Sequence, residues 1–165
     1  LHVMCGVKTN IVTSAIVTES SDGDSPFLKY MVKETSENFD INEVSADKAY
    51  SSRENMNVIN KVGAIPYIPF KSNSTGSSRG SFIWKKMYHY FMYNQKEFMN
   101  RYHKRSNVET TMHMIKTKFG GNLRSKEKIS QINEILAKVL CHNICVVIQE
   151  MHELGLRSRS SDIVK

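Results

Sequence analysis

Two carboxylates and a set of basic and phenolic side chains carry whatever chemistry this chain can do, and their spacing says where to look. The segment YHKRSNVETTMHMIK, residues 102–116, holds Tyr102, Arg105, Glu109 and Lys116 at Y-x2-R-x3-E-x6-K. A helix advances about 100° per residue, so with Tyr102 at zero, Arg105 falls near 300°, Glu109 near 340° and Lys116 near 320°. All four share one narrow stripe. Val108, Met112, Ile115 and Phe119 fall beside it, at roughly 220–280°. The polar stripe therefore borders the buried face, a placement that suits a cleft. The second carboxylate is Asp47 in VSADKAYSS, where a strand gives way to a loop. Ligands of open α/β sheets bind at such carboxyl ends of strands. Each acid alone has a structural use: a strand-end Asp as a turn or cap residue, and Glu109 as the i,i+4 partner of Arg105 on a surface helix. Together, in a basic chain, they suit joint binding of Mg²⁺ beside a phosphate backbone, because Mg²⁺ takes a few carboxylates plus waters and phosphate oxygens. A surface ion pair leaves Tyr102 and Lys116 on the stripe unexplained.

The elements that must hold these residues are legible in outline. The 165 residues suit one domain with a real core. The net charge of +7 and pI near 9.3 favour a polyanionic partner, nucleic acid first, or else a solvated basic surface. Cys5, Cys141 and Cys145 make no even disulfide framework and point to a reducing cytosol. No run reads as long and apolar enough to span a bilayer, and no signal peptide opens the chain.

LHVMCGV and IVTSAIVTE, separated by KTN, read as a β-hairpin. Ser25-Pro26 starts a helix over FLKYMVKETSEN, and a short strand ends near Ala46 and Asp47. Ser51 or Ser52 caps a helix closed by Gly63, and AIPYIPF is a buried or edge strand. The Ser/Gly loop KSNSTGSSRGS precedes a helical region over 82–119, with room for one break near Asn94 or Arg101, stopped by Gly120-Gly121. A last helix over 126–154 is expected to bury Ile135, Leu136, Val139, Leu140, Val147, Ile148, Met151 and Leu154. A hairpin followed by β-α-β units predicts an α/β fold with one mixed sheet flanked by helices.

The pattern Y-x2-R-x3-E-x6-K resembles the Tyr-Arg-Glu-Lys signature of the DDE transposases of bacterial and archaeal insertion sequences. VSADKAYSS resembles the second-aspartate motif of that family, and SSRENMNVINKVGAIPYIPFKSN its helix-and-strand continuation. The likeness covers residues 1–154. It implies a ribonuclease-H-like sheet, with DNA cleaved and joined at insertion-sequence ends by metal-dependent phosphoryl transfer. By this resemblance Asp47 and Glu109 are two of three catalytic carboxylates binding Mg²⁺ or Mn²⁺, and Tyr102, Arg105 and Lys116 contact transposon-end DNA. The implied partner is double-stranded DNA, bound by a homodimer in a synaptic complex, in the cytoplasm at the nucleoid and away from membranes. The chain also departs from the family pattern. Asp22 and Asp24 lie in a loop and Asp40 precedes the strand bearing Asp47, so no residue fills the role of the first catalytic Asp. Ala49 stands where the motif usually has Gly, and the stretch from Asp47 to Glu109 is short for the β-rich insertion of some relatives. The resemblance thus implies a catalytic domain lacking its first strand over 1–154, with a flexible basic tail at 155–165. The rival is a catalytically silent remnant that binds DNA or only folds.

Other groups read as structural. Trp84, Tyr88 and Phe91 fall at helical spacing and suit an amphipathic core face better than base stacking. Cys141, His142 and Cys145 lack a second ligand pair at zinc-finger spacing and read as small buried residues of the last helix.

Overall fold

The computed structural model describes residues 1–18 and 23–156, so Asp22 and most of the expected basic tail lie outside the described residues. Strands β1 (His2–Cys5) and β2 (Val12–Ile16) form an antiparallel hairpin, with His2 opposite Ile16 and Met4 opposite Ser14. Asn10, at φ 57°, closes the reversal by donating its N–H to the Gly6 carbonyl at 2.9 Å. Asn tolerates that left-handed conformation because its short polar side chain bonds locally. Helix α1 (Leu28–Ser36) follows a 3₁₀ turn containing Pro26 and buries Leu28, Met31, Val32 and Thr35, one stripe at i, i+3, i+4 and i+7. Strand β3 (Glu43–Ser45) leads through a 3₁₀ turn (Lys48–Tyr50) to α2 (Arg53–Lys61). Ser52 caps α2 by accepting the Asn55 N–H at 3.1 Å, and Gly63 at φ 82° ends it. Strand β4 (Ile65–Tyr67) then lies parallel to β3.

The order of these elements is the expected one, but the sheet is not. Among the described residues there are two separate two-stranded sheets, β1–β2 and β3–β4, instead of one mixed sheet. Among the described residues no further strand joins the two ladders. A side-chain contact links the hairpin to the 3₁₀ turn after β3, since His2 Nδ1 of β1 shares a hydrogen bond with the Tyr50 hydroxyl at 2.9 Å. The start of β1 therefore approaches the turn that follows β3.

The region 82–119 breaks twice. Helices α3 (Phe82–Tyr93) and α4 (Gln95–Tyr102) meet at Asn94, whose φ −125° and ψ 45° are not helical. A 3₁₀ turn (His103–Arg105) then leads into α5 (Ser106–Phe119), stopped by Gly120 at φ 84°. The bend at Asn94 folds Phe98 back onto Phe91 and Tyr67, at 5.0 and 5.5 Å between ring centroids, and Phe98 is fully buried. That burial favours the break over a straight helix. Trp84, Tyr88 and Phe91 surround Phe70 at 4.8, 5.2 and 5.7 Å, so this row belongs to the core. Trp84 Nε1 donates to the Thr75 carbonyl at 2.8 Å and pins the Ser/Gly loop.

Helix α6 (Lys128–Glu153) overturns the expected burial pattern. Only Val139 and His142 are buried, whereas Leu136, Leu140, Val147, Ile148 and Leu154 are 39–70% exposed. Polar anchors hold the other face to the hairpin. Asn143 accepts the Val12 N–H and donates to the Val12 carbonyl, both at 2.8 Å, and closes the outer edge of β2 there as a strand would. His142 Nε2 lies 2.9 Å from the Asn10 carbonyl. Val139 and Ile115 then pack on Val12 beneath these anchors. Cys141 is exposed, contrary to its expected burial, and the described residues contain no cluster of three metal-binding side chains. With 26 residues and a mean hydropathy of 1.3 over its most apolar window, α6 is by length and composition able to cross a membrane. That corrects the expectation that no run qualifies, although its contacts here are those of a helix docked on a hairpin.

Candidate active site

Side chains alternate along a strand, so Val44 enters the core while Glu43, Ser45 and, just beyond the strand end, Asp47 follow the opposite side. All three meet the segment 101–105. Glu43 accepts from Arg101 Nη1 at 2.7 Å and from Lys104 Nζ at 2.8 Å, and Ser45 donates to the Arg101 carbonyl at 3.0 Å. These contacts clamp the end of α4 and the following 3₁₀ turn across the carboxyl end of β3. Sequence reasoning missed Glu43, Ser45, Arg101 and Lys104. The signal was present as the E-x-S-x-D alternation of 43–47 opposite the basic run RYHKR.

The clamp places Arg105 over Asp47. Arg105 Nε lies 3.0 Å from Asp47 Oδ1, and Nη1 lies 3.4 Å from Asp47 Oδ2. The same Nη1 lies 2.9 Å from Glu109 Oε1. Tyr102 completes the group, its hydroxyl 3.3 Å from Asp47 Oδ1 and accepting from Arg105 Nε at 3.0 Å. Thus Asp47, Tyr102 and Glu109 converge on one guanidinium. The reason differs from the single-helix stripe read from the sequence. Tyr102 ends α4 and Arg105 ends the 3₁₀ turn, in which side chains three residues apart eclipse. That eclipse, not a continuous α-helical face, sets Tyr102 against Arg105. Glu109 then reaches Arg105 by ordinary i,i+4 proximity as α5 begins.

Helix α5 is aimed by the hairpin. Asn107 donates to the Asn10 side chain at 2.9 Å and to the Gly6 carbonyl at 3.2 Å, and Thr111 bonds the same Asn10 at 3.3 Å. Lys116 lies apart from the quartet. Seven residues beyond Glu109, it is roughly 10 Å further along the helix axis and lines a mostly apolar cavity of about 190 Å³ with Met112, Ile115, Leu123 and Val139.

The electrostatics follow from this geometry. Burial pulls the Arg105 guanidinium down, but Asp47, Tyr102 and Glu109 outweigh it and leave the group raised above its ordinary value. Tyr50 is pushed up to about 12, first by burial and then by Asp24 and Asp47, so its hydroxyl stays protonated beside His2. Oxygens of two carboxylates within reach of one guanidinium nitrogen are a donor set that suits a hard divalent cation completed by water and phosphate. Arg105 supplies the positive charge between them.

Residues 1–144 match the family model described as the transposase DDE domain. No curated protein and no solved structure matches the chain.

Proposed function

The chain belongs to the transposase DDE domain family, and from that premise we propose that Asp47 and Glu109 are two of the carboxylates of a metal-assisted phosphoryl-transfer site for cutting and joining insertion-sequence ends. The observation that carries this reading is their meeting on Arg105, although they lie on separate elements 62 residues apart in sequence. Asp47 and Glu109 would hold Mg²⁺ or Mn²⁺. When bound, such an ion polarises a phosphate oxygen and makes water or a 3′ hydroxyl a better nucleophile. Arg105 keeps the two acids neutralised and close together, and exchanges them for a DNA phosphate when the site is loaded. Tyr102 orients Arg105, and Lys116 takes a phosphate further along the duplex.

Two carboxylates are fewer than the family chemistry uses. We place the third on a further strand pairing between the open edges of β1 and β3, which would unite the two small sheets into the ribonuclease-H-like one. The 165 residues alone then bind duplex DNA and metal weakly and do not cut. A second reading, a silent remnant that binds DNA or only folds, is favoured by the same shortage of acidic ligands. The homodimer and the nucleoid location belong to the first reading.

The test is a salt titration of end-DNA binding beside a cleavage assay, in a polypeptide that supplies the additional acidic strand. Each lost phosphate contact lowers the slope of log K against log salt by about 0.9. Arg105→Ala and Lys116→Ala should show that loss, whereas Glu109→Gln should bind at least as well as wild type and fail to cleave. Normal cleavage by Glu109→Gln sinks the catalytic reading, and unchanged salt slopes sink the clamp.

A further inference from the structure

Helix α5 has to present Glu109 at one angle about its own axis, and its apolar residues alone do not fix that angle. With Asn107 at zero, Val108, Met112, Ile115 and Phe119 fall at about 100°, 140°, 80° and 120°, and Glu109 near 200°. Of the four apolar residues only Ile115 is buried, and the others are half-buried. Apolar burial is non-directional, so such a face tolerates rolling. A roll of about 30° would carry a side-chain end about 3 Å around an axis about 5–6 Å away. That is enough to part Glu109 from Arg105 Nη1, which it meets at 2.9 Å. Directional bonds remove this freedom, and they come from one residue of the hairpin. Asn10 Oδ1 accepts from Asn107 Nδ2 at 2.9 Å and lies 3.3 Å from Thr111 Oγ1. These partners are one helical turn apart, and Thr111 is fully buried. With φ at 57°, Asn10 faces α5 with its side chain and α6 with its carbonyl, which lies 2.9 Å from Nε2 of fully buried His142. Glu109 stands roughly 160° around the helix from both Asn107 and Thr111. The hairpin thus grips one edge of α5, and Glu109 leaves from the other.

We propose that Asn10 is a positioning residue for the carboxylate site: it fixes the roll of α5 and thereby brings Glu109 to Arg105 and Asp47. It acts through Asn107 and Thr111 rather than on the acids themselves. Two hydrogen bonds one turn apart on the same helix edge set both its rotation and its height, because a hydrogen bond weakens steeply once its geometry is lost. The inference rests on the proposed metal role of Asp47 and Glu109, and its own outcome is read separately, through Arg105.

The experiment replaces Asn10 by Gly, which keeps the positive φ but removes the side chain, and by Asp, which keeps the acceptor and tolerates the same backbone. The first readout is the nitrogen-15 spectrum of the Arg105 guanidinium in metal-free protein. Asn10→Gly should shift these resonances as Glu109→Gln does, and Asn10→Asp should leave them at their wild-type positions. The second readout is Mn²⁺ titration in the Arg105→Ala background, where no guanidinium competes for the acids. There Asn10→Gly should lose about tenfold in affinity, the scale of a lost outer-shell partner. Adding Glu109→Gln to it should cost nothing more, and Asn10→Asp should retain the affinity. Far-ultraviolet circular dichroism and the emission of buried Trp84 report whether each variant is folded. Wild-type Arg105 resonances in folded Asn10→Gly overturn the proposal, because the acids are then placed without Asn10. If the resonances move but Mn²⁺ affinity ignores Glu109, the positioning stands and the metal role of Glu109 falls.

Discussion

Replacing Arg105 by Ala should make the isolated chain a better metal binder, although it removes a basic residue from a basic protein. Arg105 is the cation between Asp47 and Glu109, with contacts at 3.0 and 2.9 Å, and any divalent ion must displace or share it. The side chains are 31%, 51% and 65% exposed for Arg105, Asp47 and Glu109, so water screens both pairs. Exposed pairs contribute about 0.2–1 kcal/mol each, so losing two frees about 0.4–2 kcal/mol, a factor of roughly 2–30 in Mn²⁺ affinity. The assay is Mn²⁺ titration by calorimetry or electron spin resonance at low ionic strength. The difference should shrink as salt is raised. Arg105→Lys, with a point charge in place of the planar fork, should fall between wild type and Arg105→Ala. Adding Glu109→Gln to Arg105→Ala should abolish the gain. The reasoning is refuted if Arg105→Ala binds Mn²⁺ no more tightly than wild type, or if the gain survives loss of Glu109.

Three further outcomes are expected. With a maleimide on native protein, Cys141 should label first and Cys5 only on unfolding, because burial pushes the Cys5 thiol up despite its bonds to Thr111 and Asn107; equal labelling rates would contradict the packing of α5 on β1. Glu134 accepts the backbone N–H groups of Ser125 and Arg124, and these bonds, with help from Lys138, lower its carboxyl from the ordinary 4.5 to about 2. Its contribution is therefore present in full above its unfolded value and is lost as pH falls toward about 2. Glu134→Gln should lower Tm at pH 7, by an amount that vanishes near pH 2, and a pH-independent difference would exclude this role. Phe98→Ala should cost about 3–5 kcal/mol in chemical denaturation, because it empties the pocket formed at the α3–α4 bend; a loss under about 1 kcal/mol would mean that Phe98 does not hold the bend.

The sequence by itself determined the order of elements and the local chemistry of their ends. The cap of α2, expected at Ser51 or Ser52, is Ser52, and Gly63 and Gly120 end their helices at positive φ as expected, because caps and turn residues act within a few residues. It also singled out Asp47, Tyr102, Arg105 and Glu109 by type and spacing. Tertiary structure decided what those four do to one another. Arithmetic on one ideal helix placed Tyr102 and Lys116 on a common face, but a 3₁₀ turn separates Tyr102 from α5, and Lys116 lies apart from the group around Arg105. The clamp of Glu43 on Arg101 and Lys104 joins residues about 60 apart, and no local pattern states such a pairing. The same limit explains α6. Its apolar residues run around much of the helix, so periodicity could not choose the docked face. Asn143 and His142 chose it, because the unpaired backbone groups of Val12 and Asn10 needed polar partners that no aliphatic side chain supplies.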